Sequence, residues 1–355
     1  MKKHVRIVSI FVLLITISWS CTKNDIPEEK SSLKFAIDQS ATNLNKAIDE
    51  ISSSEAFSIL TMSEGTLKSA TVTDSIYKVY ISLDLIKGKY EYKPVIKPDR
   101  HGISLLRFFS RTEDNDNMIV KMPLQKVKSP MSLRRYSPAD SSLTNNFSIT
   151  VSEYHNNYNS YWDYDYVNSA EISVGDTVAG KLYIKSNISP ENGTDYTSKY
   201  SFTDSYTANY KYLSGDTTVS SFAIKSGDEI LYEEKLLTTR NDTVRFGREH
   251  QYILTIGDVQ IIRNSASKTV QVAVNGVIQP DAVITIIDRE EDPEASVCKR
   301  REVQITFEDG TTTTISSLIG NSITDIRTLF NSLHRVYFAA YVVDWIAYDI
   351  YYQRI

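Results

Sequence analysis

Cysteine is almost missing from this chain of 355 residues: Cys21 and Cys298 are the only two. A disulfide framework is therefore excluded, and the fold must stand on a packed core. Histidine is nearly as scarce. His101, His155, His250 and His334 are isolated from one another, and none has a cysteine or second histidine nearby, so zinc-ligand spacing is absent. The run 113–117 (EDNDN) carries oxygen ligands but lacks the glycine and distal glutamate of a calcium loop, and it reads as a solvated hairpin tip. No metal and no cofactor is expected. There is no glycine-rich phosphate loop, no G-x-S-x-G elbow and no Cys-His motif, and Cys298 beside Lys299, Arg300 and Arg301 reads as a lone thiol in a charged loop. Carboxylate pairs for glycoside hydrolysis can come from anywhere in a fold, so acidic residues alone do not place them. The balance favours a protein that is not an enzyme.

Basic stripes are missing too. With a formal charge of −5 and only short clusters such as Arg134-Arg135, the chain is unsuited to nucleic acid. After residue 20 no apolar run reaches the ~18 residues that cross a bilayer. The nearest candidate, 336–350, is interrupted by Asp344 and Asp349 and reads as buried protein. No fixed-period repeat is present, which disfavours propellers and solenoids.

What is present begins at the front. Lys2, Lys3 and Arg6 precede an apolar run over 7–17, then Ser18-Trp19-Ser20-Cys21. A charged start, a short greasy core and a small residue before a cysteine describe an export signal. The segment resembles the signal of bacterial lipoproteins, and its loose box is similar to those of Bacteroidota. That resemblance implies acylation at Cys21 and a lipid anchor in the outer membrane, with the periplasmic and extracellular faces both open. Cleavage before Cys21 removes Lys2, Lys3 and Arg6 and takes the charge from −5 to −8.

Residues 22–32 are polar and acidic, with Pro27, and form a tether. Ile37, Ala41, Leu44, Ile48 and Ile51 recur at helical spacing and predict one amphipathic helix ending at the serines 52–54, with a shorter helical piece over 56–60. From Asp74 the period becomes two: Tyr77, Val79, Ile81, Leu83 and Leu85 share a face. Further strands are predicted at 105–109, 118–122, 147–151, 178–184, 206–212, 219–224, 230–236, 252–256, 270–274 and 283–287. The gaps are too short for crossover helices, so antiparallel sheets follow. Asn275-Gly276 and Asp309-Gly310 are type I′ hairpin signals. Near the end, Tyr337, Tyr341, Trp345, Tyr348 and Tyr352 form an aromatic stripe on a helix expected to pack on the sheet. The fold class is mainly β (α+β), antiparallel sheets or a sandwich with an N-terminal helix and a C-terminal aromatic-rich helix. The expected divisions are the signal at 1–20, the tether, an α+β portion at 33–130, a β-rich portion at 147–288, and a terminal hairpin plus helix at 296–355.

One segment is locally distinctive: residues 155–166 read HNNYNSYWDYDY. Tyr158, Tyr161, Trp162, Tyr164 and Tyr166 crowd among Asn and Asp, and flat rings beside hydrogen-bonding side chains suit sugar rings. The alternative is a strand whose tyrosines alternate between core and surface. Ser75, Thr177, Thr217 and Thr243 each follow an aspartate and precede an aliphatic residue or threonine. These tripeptides resemble the O-glycosylation acceptor motif of Bacteroidota, which implies glycan at one or more of them. Three functions stay open: an envelope lipoprotein that binds a glycan or protein ligand or plays a structural part; a lipid or lipoprotein carrier with an apolar cavity; and a carboxylate-dependent glycan hydrolase.

Overall fold

The computed structural model describes residues 32–62, 78–94, 104–127, 133, 140, 142–202, 205–244, 247–288, 301–320, 322–333 and 337–354. Cys21, Ser75, His101, Cys298 and His334, with the signal and nearly all of the tether, lie outside the described residues. Among the described residues strand outweighs helix, 50% against 29%, so the fold is mainly β.

Helix α1 (Leu33–Ser52) buries Ile37, Leu44, Ile48 and Ile51 completely, as their spacing requires. Ser32 caps it, its hydroxyl accepting from Phe35 N at 3.3 Å. Ser54 plays the same part for α2 (Glu55–Met62), accepting from Phe57 N at 3.2 Å. Strand β1 (Val79–Ser82) is shorter than the two-residue period suggests, because Leu83–Ile86 closes instead into one helical turn, α3. Strands β2 (Gly88–Tyr92), β3 (Phe109–Glu113) and β4 (Met118–Met122) follow. The strand predicted at 105–109 is a 3-10 turn over Leu105–Phe108, with β3 starting after it.

The body of the molecule is an uninterrupted antiparallel meander: β5 (Phe147–Ser160), β6 (Asp163–Val174), β7 (Thr177–Ser189), β8 (Gly193–Ser201), β9 (Tyr206–Leu213), β10 (Thr217–Ser226), β11 (Glu229–Arg240), β12 (Arg248–Ile256), β13 (Val259–Asn264), β14 (Val270–Val274) and β15 (Val277–Ile278). Strands β4 and β1 follow one another along the other edge of β5, so the strands within 33–130 and the meander β5 to β15 belong to one sheet. Strand β2 lies parallel to β4, the exception to the antiparallel rule among the described strands. A three-stranded sheet of β16 (Val283–Asp288), β17 (Arg301–Thr306) and β18 (Thr312–Thr314) precedes helices α4 (Ile315–Ile319), α5 (Ser322–Leu333) and α6 (Tyr337–Arg354).

Paired residues share a face, so one row runs from Val151 on β5 through Leu182, Tyr200 and Ile224 to Val274 on β14, all buried. Helix α1 lies over β11 to β13, α5 over β8 and β9, and α6 over β1. Where α1 crosses the β12–β13 turn only glycine fits: Gly257 has φ +53, and a Cβ there would stand 2.6 Å from Ser40 Oγ. Each fully buried aliphatic side chain in this layer contributes about 1.5–3 kcal/mol.

The hairpin at Asn275-Gly276 has φ of 50° and 78°, the type I′ turn its sequence predicts. At Asp309-Gly310 only the glycine is left-handed, at 78°, and Gly310 N donates to Phe307 O at 2.9 Å, so a different turn forms there from the type I′ expected. On α6 the fully buried face is aliphatic, with Val342, Val343, Ile346 and Ala347. Tyr341, Trp345 and Tyr348 of the expected aromatic stripe are half-buried beside it, and Tyr352 is exposed.

Strand β5 carries a bulge between Val151 and Glu153. Before it, Phe147, Ile149 and Val151 face the helices; after it, Tyr154, Asn156 and Tyr158 do. One extra residue, Ser152, shifts the parity of residues 153–158, up to a second irregularity between Tyr158 and Ser160.

Candidate functional site

The bulge divides the 155–166 segment into two faces and a tip. On the helix-facing side stand Tyr158, Tyr164 and Tyr166, joined by Tyr154. Tyr154 meets Tyr166 edge-on at 6.0 Å, Tyr166 stacks on Tyr164 at 6.1 Å and 18°, and Tyr158 meets Tyr164 edge-on at 6.2 Å. Tyr166 is buried, while Tyr158 and Tyr164 are half-buried against the core.

Helix α6 sends Asp344 into this aromatic layer. Tyr154 Oη donates to its Oδ1 at 3.0 Å and Tyr166 Oη at 3.1 Å, and Asn168 Nδ2 donates onward to Tyr166 Oη at 3.2 Å. The residue keeps a fringe of solvent contact, but its carboxylate is enclosed by rings. Burial pushes Asp344 up to about 7, against the two phenolic hydrogen bonds that hold the ionised form. Tyr154 and Tyr166 are held well above the ordinary tyrosine range, first by burial and then by the charge of Asp344. Asn156 Oδ1, Asn168 Oδ1 and Ser198 Oγ are buried without a hydrogen-bond partner on this same face. The partners of Asp344 are phenols rather than a second carboxylate, so the group is arranged as a clamp between α6 and the sheet.

The opposite face of the same strands is polar. Tyr80 on β1 pairs with Asn157 on β5, which pairs with Asp165 on β6, which pairs with Asn187 on β7. Tyr80 Oη donates to Asn159 Oδ1, and Asn159 Nδ2 donates to Asp163 Oδ2 at 3.0 Å. Asn187 Nδ2 donates to Asp165 Oδ1 at 3.3 Å. His155 Nε2 stands 3.0 Å from Asp165 Oδ2, within ion-pair reach but off the line of a hydrogen bond. Lys185 Nζ reaches Asp195 Oδ2 at 3.2 Å.

At the tip, Tyr161 and Trp162 are 71% and 70% exposed and meet each other edge-on at 6.3 Å. Trp162 N donates to Ser160 Oγ at 3.3 Å, which fixes the turn that presents them. Of the five aromatics singled out by composition, the structure thus brings three together against the core and two together in solvent. Sequence reasoning missed Tyr80, which the β1–β5 register alone brings to the site, and it missed Asp344 as a partner of tyrosine.

Thr177, Thr217 and Thr243 are all exposed, at the β6–β7 turn, the β9–β10 turn and the β11–β12 connection. Thr217 Oγ1 lies 3.2 Å from Thr239 Oγ1, and Thr243 Oγ1 donates to Asn241 Oδ1 at 2.6 Å. In the 113–117 loop, Asn117 N donates to Asn115 Oδ1 at 2.9 Å and Asp114 pairs with Arg111 at 2.8 Å. Among the described residues no three His, Cys, Asp or Glu side chains gather as a metal site, and no helix is long and apolar enough to cross a membrane. No protein-family model, curated protein or solved structure matches the chain.

Proposed function

We propose that the chain is a bacterial envelope lipoprotein, acylated at Cys21 and anchored in the outer membrane, that uses the β5–β6 hairpin tip to bind a glycan or protein ligand and is not an enzyme. The observation that carries the binding part is the exposure of Tyr161 and Trp162 together at the end of a long, paired hairpin. Leaving two large rings in water forfeits about 1.5–3 kcal/mol apiece, and a hairpin held on both sides by neighbouring strands keeps them where a partner can reach. The anchoring part rests on the charged, apolar and small-residue order of residues 2–21.

The display reading is favoured over a carrier because α1, α5 and α6 lie on the apolar face of the sheet and bury their own apolar residues there. It is favoured over a hydrolase because Asp344, the carboxylate driven towards neutrality, is held by phenols. The exposed Thr177, Thr217 and Thr243, with Ser75, are the hydroxyls of which we place O-glycan on at least one.

Palmitate labelling in a bacterial host tests the anchor: the wild type takes up label and sediments with outer membrane, and Cys21→Ala does neither. A mixed array of glycans and extracellular-matrix proteins tests the tip. Trp162→Ala is expected to lose at least tenfold in apparent affinity for whatever the folded wild type retains, and undiminished retention sinks the tip as a binding element.

A further inference from the structure

We infer that the solvent-facing side of β1, β5, β6 and β7, continuous with the tip, is a recognition surface for a neutral oligosaccharide. This rests on the reading of the hairpin tip as a binding element and names both its ligand class and the rest of its site.

Three observations carry it. The first is an exposed ring that the tip does not supply: Tyr80 is 50% exposed on β1, on the face opposite the core residues Val79 and Ile81 that flank it. With Tyr161 and Trp162 it gives flat apolar surface at two places on one patch, which suits the C–H faces of pyranose rings. The second is the choice and fixing of the polar groups between them. Asn159 is held by Tyr80 on one side and Asp163 on the other, and Asp165 is held by Asn187 with His155 beside it. These contacts leave both carboxylates with lone pairs still to offer and the amides with unused hydrogen-bonding capacity, the inventory that sugar hydroxyls require. Because the groups already restrain one another, less rotamer freedom is lost on binding.

The third observation is charge. Asp165 lies at the centre with Asp163 next to it beside the tip, and Lys185 at the margin is engaged by Asp195. An acidic centre repels uronic, sulfated or sialylated sugars and accepts uncharged ones. Strand spacing gives the patch four strands in width and four residues in length, roughly 14 Å by 13 Å, room for a di- to trisaccharide. No bond is made or broken in this proposal.

The test is an array of neutral hexasaccharides of gluco, manno, galacto and xylo configuration, printed beside heparin, hyaluronan and polygalacturonate fragments, and probed with the whole chain. The expected result is retention on at least one neutral hexasaccharide, weakened about tenfold by Tyr80→Ala and by Asp165→Asn, with binding kept by Tyr80→Phe. Unchanged thermal unfolding of each variant confirms that the fold is intact. Neutral-sugar binding that depends on Trp162 yet ignores Tyr80, Asp163 and Asp165 overturns the open-face site and spares the tip. Retention on the acidic fragments alone overturns the ligand class. Retention on no sugar, with a Trp162-dependent protein ligand on the mixed array, overturns this inference while the tip reading stands; loss of Trp162 dependence everywhere overturns both.

Discussion

Tyr166 on β6 and Tyr80 on β1 are tyrosines of the same sheet, each on a strand paired with β5, and their circumstances are opposite. Tyr166 is buried among Tyr154, Tyr164 and Asn168 with its hydroxyl committed to Asp344; Tyr80 stands half in water, its hydroxyl committed to a surface asparagine. The side of the strand decides which part each plays. On the helix-facing side the rings contribute area and clamp a carboxylate; on the open side the same residue type contributes presentation at little cost to the core. Composition alone, which shows only a tyrosine-rich stretch, conceals that split.

The sharpest way to break the comparison is to remove the inner ring. Tyr166→Ala deletes an aromatic packed between two others and leaves Asp344 with one phenol fewer, and it is expected to cost about 3–5 kcal/mol in urea unfolding. Loss below 1 kcal/mol would mean that the inner layer is not a packed core at all.

A smaller effect comes from protonation. Asp344 is raised when folded, to about 7 from an ordinary 3.8, so the folded chain holds a proton that the unfolded chain has released between those values. Its contribution is therefore fully present below about pH 4 and is lost as pH rises through about 7. Between pH 5 and pH 8 the wild type is expected to lose about 2 kcal/mol that Asp344→Asn does not lose. Chemical denaturation of both proteins at the two pH values measures the difference; parallel curves would show that the carboxylate is already well solvated.

The smallest effect belongs to the outer side. Trp162→Ala and Tyr80→Ala are expected to change unfolding free energy by no more than about 0.5 kcal/mol. Destabilisation as large as that of Tyr166→Ala would erase the distinction between the two faces.

Much of the fold was legible. The stripe from Ile37 to Ile51 announced α1, the run over β4 was bounded correctly, and most meander strands were located by their aliphatic alternation. Strands β6 and β8 escaped because tyrosine, serine and asparagine fill positions where isoleucine or valine would mark a buried face, and the short β13 and two-residue β15 were missed as well. Leu83 and Leu85 fit a strand period and form a helical turn instead, since four residues carry too little pattern to separate the two. The candidate site was legible as a cluster and not as a surface. Nothing local to Tyr80 or Asp344 ties either to the 155–166 segment; only long-range register and the docking of α6 bring them together.

That leaves Ser152. A β-ladder has two sides and no intermediate, so the identity of each side chain from 153 to 158, up to the second irregularity at Asn159, as inward or outward is a binary choice made at one position. Were the chain one residue shorter there with pairing otherwise kept, histidine and the odd-numbered asparagines of β5 would turn towards α6 while its tyrosines turned to water. A single unpaired serine thus acts as the phase setting of the strand, and evolution could exchange interior for exterior along it by length alone, without altering one side chain.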